Sequence, residues 1–398
     1  MASKDDDQRL AEAVEAYRLA MEVPDPIAVY SMLQKAKRRK TPGDPFNATI
    51  DQLVEHIFKN PDALSSSEPS DYLRSYLSIA SEHIKTMVAE KVEAPSLDDP
   101  AALGVDVDDD WRINAFVEED PPYTIYVSTN LYLFCARISE LMIAGLGLNV
   151  VDDDAPEPQH VAKPAYSAEE IARNIKKVLE SFARDQTIAE TDVKLQAAHF
   201  TFHQIVFQSV MALIICHEFG HVVINVTRHQ GKPAPFSDRA HDELQGNVDN
   251  LIRAGRHDPE DRADLRGLDP GGVQEVLARW ENEITADLIG VSLAAEYSAK
   301  RGPWKDGPGI LGIAYLGFHL CFIAQHMLYN YMHLHGPDFL LVSKSHPPID
   351  FRMHCVLGWM YNRPAKLGQP AVPYGENEAF QRVTEYSQQI VNKVFGQL

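Results

Sequence analysis

Apolar residues recur at the spacing of an α-helix along most of this chain. Because such spacing gives each helix one apolar face to bury in a core, it predicts helices wherever it persists. Before residue 100 the pattern is interrupted by prolines and a serine-rich run, which predicts a helical N-terminal lobe with helices at residues 6–21, 50–58 and 72–92. Beyond residue 130 the predicted helices are more apolar; they lie at residues 131–144, 168–183, about 190–226 with an apolar run at 205–216, 272–297 and 309–332.

Little of the remaining sequence predicts β-structure. A short strand is expected at residues 124–128, after an acidic connector at 97–110 that is punctuated by Pro and Gly. The pattern therefore predicts a mainly α fold with a small β-sheet (α+β). We expect three regions, namely a helical accessory region at 1–105, the principal domain at 106–365 and a C-terminal helical tail at 366–398.

Residues 228–269 interrupt the helical pattern of the principal domain. The segment is rich in Asp, Arg, Gly and Pro and has little apolar periodicity. Loops of this length inside a compact domain are usually functional or disordered. Two interpretations stay open, a lid or specificity loop over a neighbouring site and a polar surface insertion.

The apolar run at 205–216 leads directly into the sequence His-Glu-Phe-Gly-His at 217–221. Residues four apart lie on one face of a helix, so His217 and His221 can bind one metal ion while Glu218 points at its open side. This is the HExxH pattern of zinc hydrolases. A helix whose His and Glu are ordinary polar residues is the alternative, and it does not explain the apolar run before the motif.

A catalytic zinc ion takes three protein ligands and keeps one position for water, so a third donor is needed. Glu283 and Asp287 also stand four apart, on the predicted helix at 272–297. This spacing lets Glu283 bind the metal while Asp287 accepts the remaining N–H of a ligand histidine. The metzincin pattern would require Gly and His where this chain has Ile224 and Thr227, so a glutamate ligand, as in gluzincins, is expected.

Two further segments extend the similarity from a class to a family. Arg-Ile-Asn-Ala-Phe at 112–116, followed by a strand, and Ser-His-Pro-Pro at 345–348, followed by Arg352, stand in the same order around the two helical motifs as in HtpX-like and CAAX-prenyl-protease-like metallopeptidases. The chain resembles that family, and in particular its soluble relatives, the minigluzincins and the Lit-like phage-exclusion peptidases.

The resemblance implies a zincin-like catalytic lobe with an HExxH helix and a glutamate helix. It implies that His346 donates to the oxyanion of the reaction, or alternatively caps the chain before its two prolines. Arg352 would complete that site or form a structural ion pair. The substrate backbone would add to an edge strand, and the residues expected to bind it are Asn114, Ala115, Phe116, Thr124, Ile125, Tyr126 and Val127.

The amino-acid composition further limits the classes of function that fit this chain. A formal net charge of −20 argues against a nucleic-acid partner, because binding phosphates requires a Lys/Arg surplus. The first residues lack the apolar core of a signal peptide and the four cysteines form no CxxC, so we expect a cytoplasmic protein with reduced core thiols. The apolar helix at 309–332 contains two histidines and a glutamine, which favours burial in a core over a membrane span.

The sequence thus predicts a zinc-dependent endopeptidase with one Zn²⁺ per chain that acts on a cytosolic protein or peptide. A non-proteolytic interaction or regulatory protein that keeps zinc for its structure is the alternative. Glu218 argues against it, since structural zinc is closed by four ligands and gains nothing from a carboxylate beside an open position. Amide hydrolysis of a small molecule is a third possibility, and a strand-binding cleft makes it less favourable.

Overall fold

The fold is mostly helical with one small three-stranded sheet, as the sequence predicts. The computed structural model describes residues 84–88, 103–108, 115–118, 122–146, 148–150, 160–162, 164, 166–195, 197–254, 270–300, 310–335, 346–362 and 378–396. Its helices are α1 (Thr129–Ala144), α2 (Ala168–Asp185), α3 (Ala197–His229), α4 (Ser237–Ala254), α5 (Pro270–Lys300), α6 (Ile310–His335), α7 (Ile349–Asn362) and α8 (Glu378–Phe395). The strands are β1 (Leu103–Asp108), β2 (Ala115–Val117), β3 (Tyr123–Ser128), β4 (Leu148–Val150) and β5 (His160–Ala162), of which β4 and β5 form a separate antiparallel pair.

Helix α3 is the centre of the molecule. It packs against α1, α5 and α6, and its apolar residues from Val206 to Val226 are almost all buried. Within the described residues, one helical stretch, Val206–His229, is long and apolar enough to cross a membrane, and 83% of its most apolar window is buried inside the protein. Helix α6, predicted as a buried helix, is also part of the core.

The three-stranded sheet has the order β1-β3-β2, with β1 parallel and β2 antiparallel to β3. The expectation that residues 124–128 form an edge strand is therefore wrong, because β3 is paired on both sides. Its partner β1 lies in the connector at 97–110, where Val105 and Val107 alternate with Asp106 and Asp108. That alternation is typical of a strand with one polar face. The strand was not predicted because its acidic residues made the segment resemble a polar connector.

The polar segment at 228–269 is not a continuous loop. Helix α4 occupies much of it and packs against α5. Its buried apolar positions include Ala240 and Leu244, one turn apart, and most of its other described side chains face solvent at least in part. Its sequence does contain a helical repeat, with apolar residues four apart at Ala240, Leu244, Val248 and Ile252. The helix was not predicted because the residues between them are mostly polar. Residues 255–269 lie outside the described residues.

The predicted domain boundaries need adjustment. The boundary between residues 105 and 106 falls inside β1, which pairs with β3 along its whole length. Residues 84–88 are helical, and Ile84, Met87 and Val88 belong to the same core cluster as α3. The predicted helices at 6–21 and 50–58 lie outside the described residues. The region predicted as a C-terminal tail contains α8, which packs against α2 and α6.

Candidate metal centre

Helices α3 and α5 cross at the two predicted motifs. His217 and His221 stand one turn apart on α3, and Glu283 of α5 faces both of them. The Nε2 atoms of the two histidines are 3.2 Å apart. The Glu283 carboxylate lies 3.7 Å from His217 Nε2 through Oε2 and 3.5 Å from His221 Nε2 through Oε1. Each imidazole Nε2 thus faces one oxygen of the Glu283 carboxylate.

These three residues could hold a metal ion. Ligands bound at about 2.1 Å in a tetrahedral arrangement lie about 3.4 Å from one another, and the three measured separations fall on either side of that value. Glu283 Oε2 is buried and accepts no hydrogen bond within the described residues, as expected of an atom that binds a cation. Among the described residues, this is the one group of three such side chains whose donor atoms all lie within 4.8 Å of one another.

Asp287 contacts His217 at Nδ1, the ring nitrogen that does not face Glu283. Its Oδ1 lies 2.9 Å from His217 Nδ1, as an ion-pair contact rather than a straight hydrogen bond. Arg352, from α7, donates from both Nε and Nη2 to the two Asp287 oxygens at 2.7 Å. The guanidinium also lies over the ring of Phe322, 6.0 Å from its centroid. The Arg352 side chain is thus committed to a buried ion pair, the second of the two roles considered for it.

The electrostatics of the group follow from this arrangement. Burial acts to lower the pKa of His217, but Asp287 and Glu218 outweigh it and raise the pKa to about 9. Burial and the charge on His217 lower the pKa of His221 to about 4. Arg352 holds the pKa of Asp287 well below its usual range in spite of burial. The carboxylate of Asp287 therefore faces two positively charged groups, Arg352 and His217.

Glu218 follows His217 directly in the sequence. It is 5% exposed, and burial is the main reason why its pKa rises to about 7, although the charge on His217 acts in the opposite direction. A carboxyl group with a pKa near neutrality can both accept and release a proton at physiological pH. This is the property that a general base beside a metal ion needs.

His346 reaches the same space from the segment before α7. Its Nε2 lies 3.5 Å from Glu283 Oε2, and its side chain is 41% exposed. Partial burial lowers its pKa, while the Glu283 carboxylate acts in the opposite direction. His346 is thus a neighbour of a predicted ligand with a face towards solvent, and both roles considered for it stay open.

The residues predicted to bind substrate divide between two strands. Thr124, Ile125, Tyr126 and Val127 lie in β3, whose two edges are both paired, so that strand cannot accept an added one. Ala115 and Phe116 lie in β2, at the edge of the sheet, and β2 packs against α3. Phe116 is 38% exposed and stacks on Tyr126 with ring centroids 5.0 Å apart. Asn114 lies outside the described residues.

Two buried histidines near the start of α3 have packing roles. His199 Nε2 lies 2.8 Å from the carbonyl oxygen of Leu146, and His203 Nε2 lies 3.0 Å from Ser139 Oγ and 3.2 Å from the carbonyl oxygen of Ala136. These contacts hold the start of α3 against α1. The four cysteines are free and buried, as predicted.

Two glycines beside the predicted ligands were not among the predicted site residues. Gly220 and Gly290 lie in the interiors of α3 and α5, where glycine weakens a helix and therefore signals a close packing contact. Each lies against the backbone of the other helix.

Comparison with known proteins identifies no relative of this chain. No protein-family model, no curated protein and no solved structure matches it. The inference of function therefore rests on the sequence motifs and on the geometry described above.

Proposed function

We propose that the protein is a zinc-dependent endopeptidase with a zincin-like catalytic lobe formed by α3 and α5. The observation that carries the proposal is the convergence of His217, His221 and Glu283 at metal-ligand spacing, with the buried Glu218 beside them. Zinc is favoured over magnesium and calcium because two of the three donors are imidazoles, whereas those ions prefer oxygen ligands. Three ligands leave a position for water or substrate, which favours catalysis over a structural role.

Each residue of the proposed site has its own role in hydrolysis. When bound, zinc supplies a Lewis acid that polarises the scissile carbonyl and makes its water acidic near neutral pH. Glu218 takes a proton from the attacking water and passes it to the leaving amine. His346 Nε2 donates a hydrogen bond to the oxyanion that develops on the carbonyl. Asp287 and Arg352 keep the imidazole of His217 oriented towards the metal position, since ligand histidines are commonly held by a carboxylate.

The substrate class follows from strand β2, which is paired on one side only among the described residues. Backbone N–H and C=O groups on such an edge can pair with an extended peptide. We place this edge at β2, beside α3, in place of the β3 residues expected from the sequence. Recognition through the backbone favours peptides and unfolded protein segments over small molecules, and a cytosolic protein is the proposed target.

Metal analysis combined with a proteome-wide cleavage comparison tests the proposal. Wild type, Glu218→Gln and the control Glu275→Gln, which changes an exposed residue of α5, would each be purified, assayed for zinc and incubated with a cytosolic extract. All three proteins should carry about one zinc per chain. New protein termini should appear with wild type and Glu275→Gln and be absent with Glu218→Gln, because Glu218 is needed for proton transfer and is not a ligand.

Two results would reject the proposal. Wild type without stoichiometric metal would remove its basis. Zinc in all three proteins without any wild-type cleavage would support the non-proteolytic zinc protein instead.

A further inference from the structure

Helices α3 and α5 touch through their backbones at the metal centre. A Cβ atom added to Gly290 would lie 2.8 Å from His217 Cα and 2.9 Å from His217 N. A Cβ atom added to Gly220 would lie 2.7 Å from the carbonyl oxygen of Ala286 and 2.9 Å from its Cα. Ala286 is adjacent to Asp287, and Gly220 is adjacent to His221. Each glycine therefore borders a residue of the proposed site.

The distances show how little space there is. Carbon atoms in contact normally lie about 3.5–4.0 Å apart, so a methyl group at position 290 would force the helices apart by roughly 1 Å. The obstructing atoms are backbone, which cannot turn aside as a flexible side chain can. Metal–ligand distances stay within about 0.2 Å of their usual values. A separation of this size would thus move Glu283 out of bonding range of an ion held by His217 and His221.

We propose that Gly290, supported by Gly220, is a positioning residue that sets the separation of the two ligand-bearing helices and thereby the geometry of the metal site. The inference rests on the proposed metal binding and deepens it. Gly290 makes no contribution of its own to the chemistry. Its missing side chain brings the α5 carboxylates within reach of the α3 imidazoles.

The competing explanation is that Gly290 only allows the two helices to pack. Gly317 provides a matched control, because it makes an equally close helix contact away from the metal centre. A Cβ atom on Gly317, in α6, would lie 2.7 Å from Ser209 Cβ and 2.7 Å from the carbonyl oxygen of Val206. The clash with α3 is as close as that at Gly290, but its nearest atoms lie seven or more residues before His217. At about 1.5 Å per residue this places it roughly 10 Å or more along the helix axis from the ligands.

The test compares Gly290→Ala, Gly317→Ala and Gly246→Ala with wild type. Position 246 lies in α4 with open space around it, so that variant controls for the substitution itself. The full-length proteins would be stripped of metal and titrated with Co²⁺, whose visible spectrum reports coordination geometry, and zinc affinity would be measured by competition with a chelator. Gly290→Ala should bind metal about 10- to 100-fold more weakly, the range for residues that orient ligands, with an altered Co²⁺ spectrum. Gly317→Ala and Gly246→Ala should keep the wild-type spectrum and affinity.

Each other outcome decides against the positioning role. A Gly290→Ala protein with wild-type affinity and spectrum would overturn it, as would equal losses in Gly290→Ala and Gly317→Ala. If Gly290→Ala does not fold while Gly317→Ala does, the contact is a requirement of folding and the positioning role is withdrawn. A wild-type protein that binds neither Co²⁺ nor zinc would instead reject the proposed function from which the inference starts.

Discussion

Asp287 links the stability of the protein to the geometry of its proposed metal centre. It is 2% exposed, and its two oxygens accept the paired donors of Arg352. Removing one partner of a buried ion pair leaves an uncompensated charge, which typically costs about 3–5 kcal/mol. Arg352→Met should lower the free energy of unfolding of the metal-free protein by up to about that amount, because His217 stays beside Asp287 as a second positive partner; urea denaturation measures the change. Arg184→Met, which removes an exposed partner of Asp185, should change it by less than about 1 kcal/mol. Equal effects would mean that the buried pair contributes no more than an exposed one.

The residues of the site differ in how well the sequence predicts their positions. His217, His221, Glu283 and Asp287 could be placed because each pair lies four residues apart on a long helix, so helical geometry fixes their common face. The partner of Arg352 could not be predicted, since it lies 65 residues away in sequence and depends on how α7 packs. Local periodicity carries no information about such a contact.

At the scale of whole elements, the long helices of the core could be predicted, whereas helix α4 and strand β1 could not. Helices α5 and α6 begin and end within three residues of the predicted bounds because their periodicity persists over many turns. Helix α3 begins at Ala197, several residues after the predicted start near residue 190. Strand β1 was missed, and with it the central position of β3, because strand pairing is a long-range property.

The free edge of β2 gives a test of how substrate binds. Glu118 donates its N–H to the carbonyl oxygen of Thr124, and since hydrogen-bonding residues alternate along an antiparallel strand, the N–H of Val117 faces away from β3. Val117→Pro should therefore fold and keep its metal, because proline is tolerated where an edge-strand N–H faces outward. Its kcat/KM on a substrate identified in the cleavage comparison should fall about 2- to 13-fold, since a backbone hydrogen bond is worth about 0.5–1.5 kcal/mol. The control Val117→Ala loses the same side chain but keeps the N–H, and should cleave faster than the proline variant. Equal rates would place the substrate elsewhere.

At the scale of the molecule, a single buried core joins parts that the sequence assigned to separate regions. Ile84 from the predicted accessory region, the α3 and α5 residues around the metal centre, and Ile390 of α8 all belong to it. The predicted boundaries followed changes in composition, such as acidic and proline-rich connectors. Connector composition does not reveal whether the elements on either side pack together, so membership of the core could be assigned only from the structure.

The C-terminal helix tests this view of one cooperative unit. Ile390 is fully buried, and Val391 and Val394 beside it contribute to the same core, whereas Gln389 is exposed. Replacing a buried isoleucine by alanine typically costs about 2–5 kcal/mol, because apolar contacts are lost and a cavity remains. Ile390→Ala should therefore lower the free energy of unfolding by that amount in denaturant titrations, and the transition seen by circular dichroism should coincide with the one seen by tryptophan fluorescence.

The control Gln389→Ala should change the free energy of unfolding by less than about 0.5 kcal/mol. If Ile390→Ala were equally mild, or if α8 unfolded in a separate earlier transition, α8 would be the peripheral tail that the sequence predicts, and the core around α3 and α5 would be independent of it.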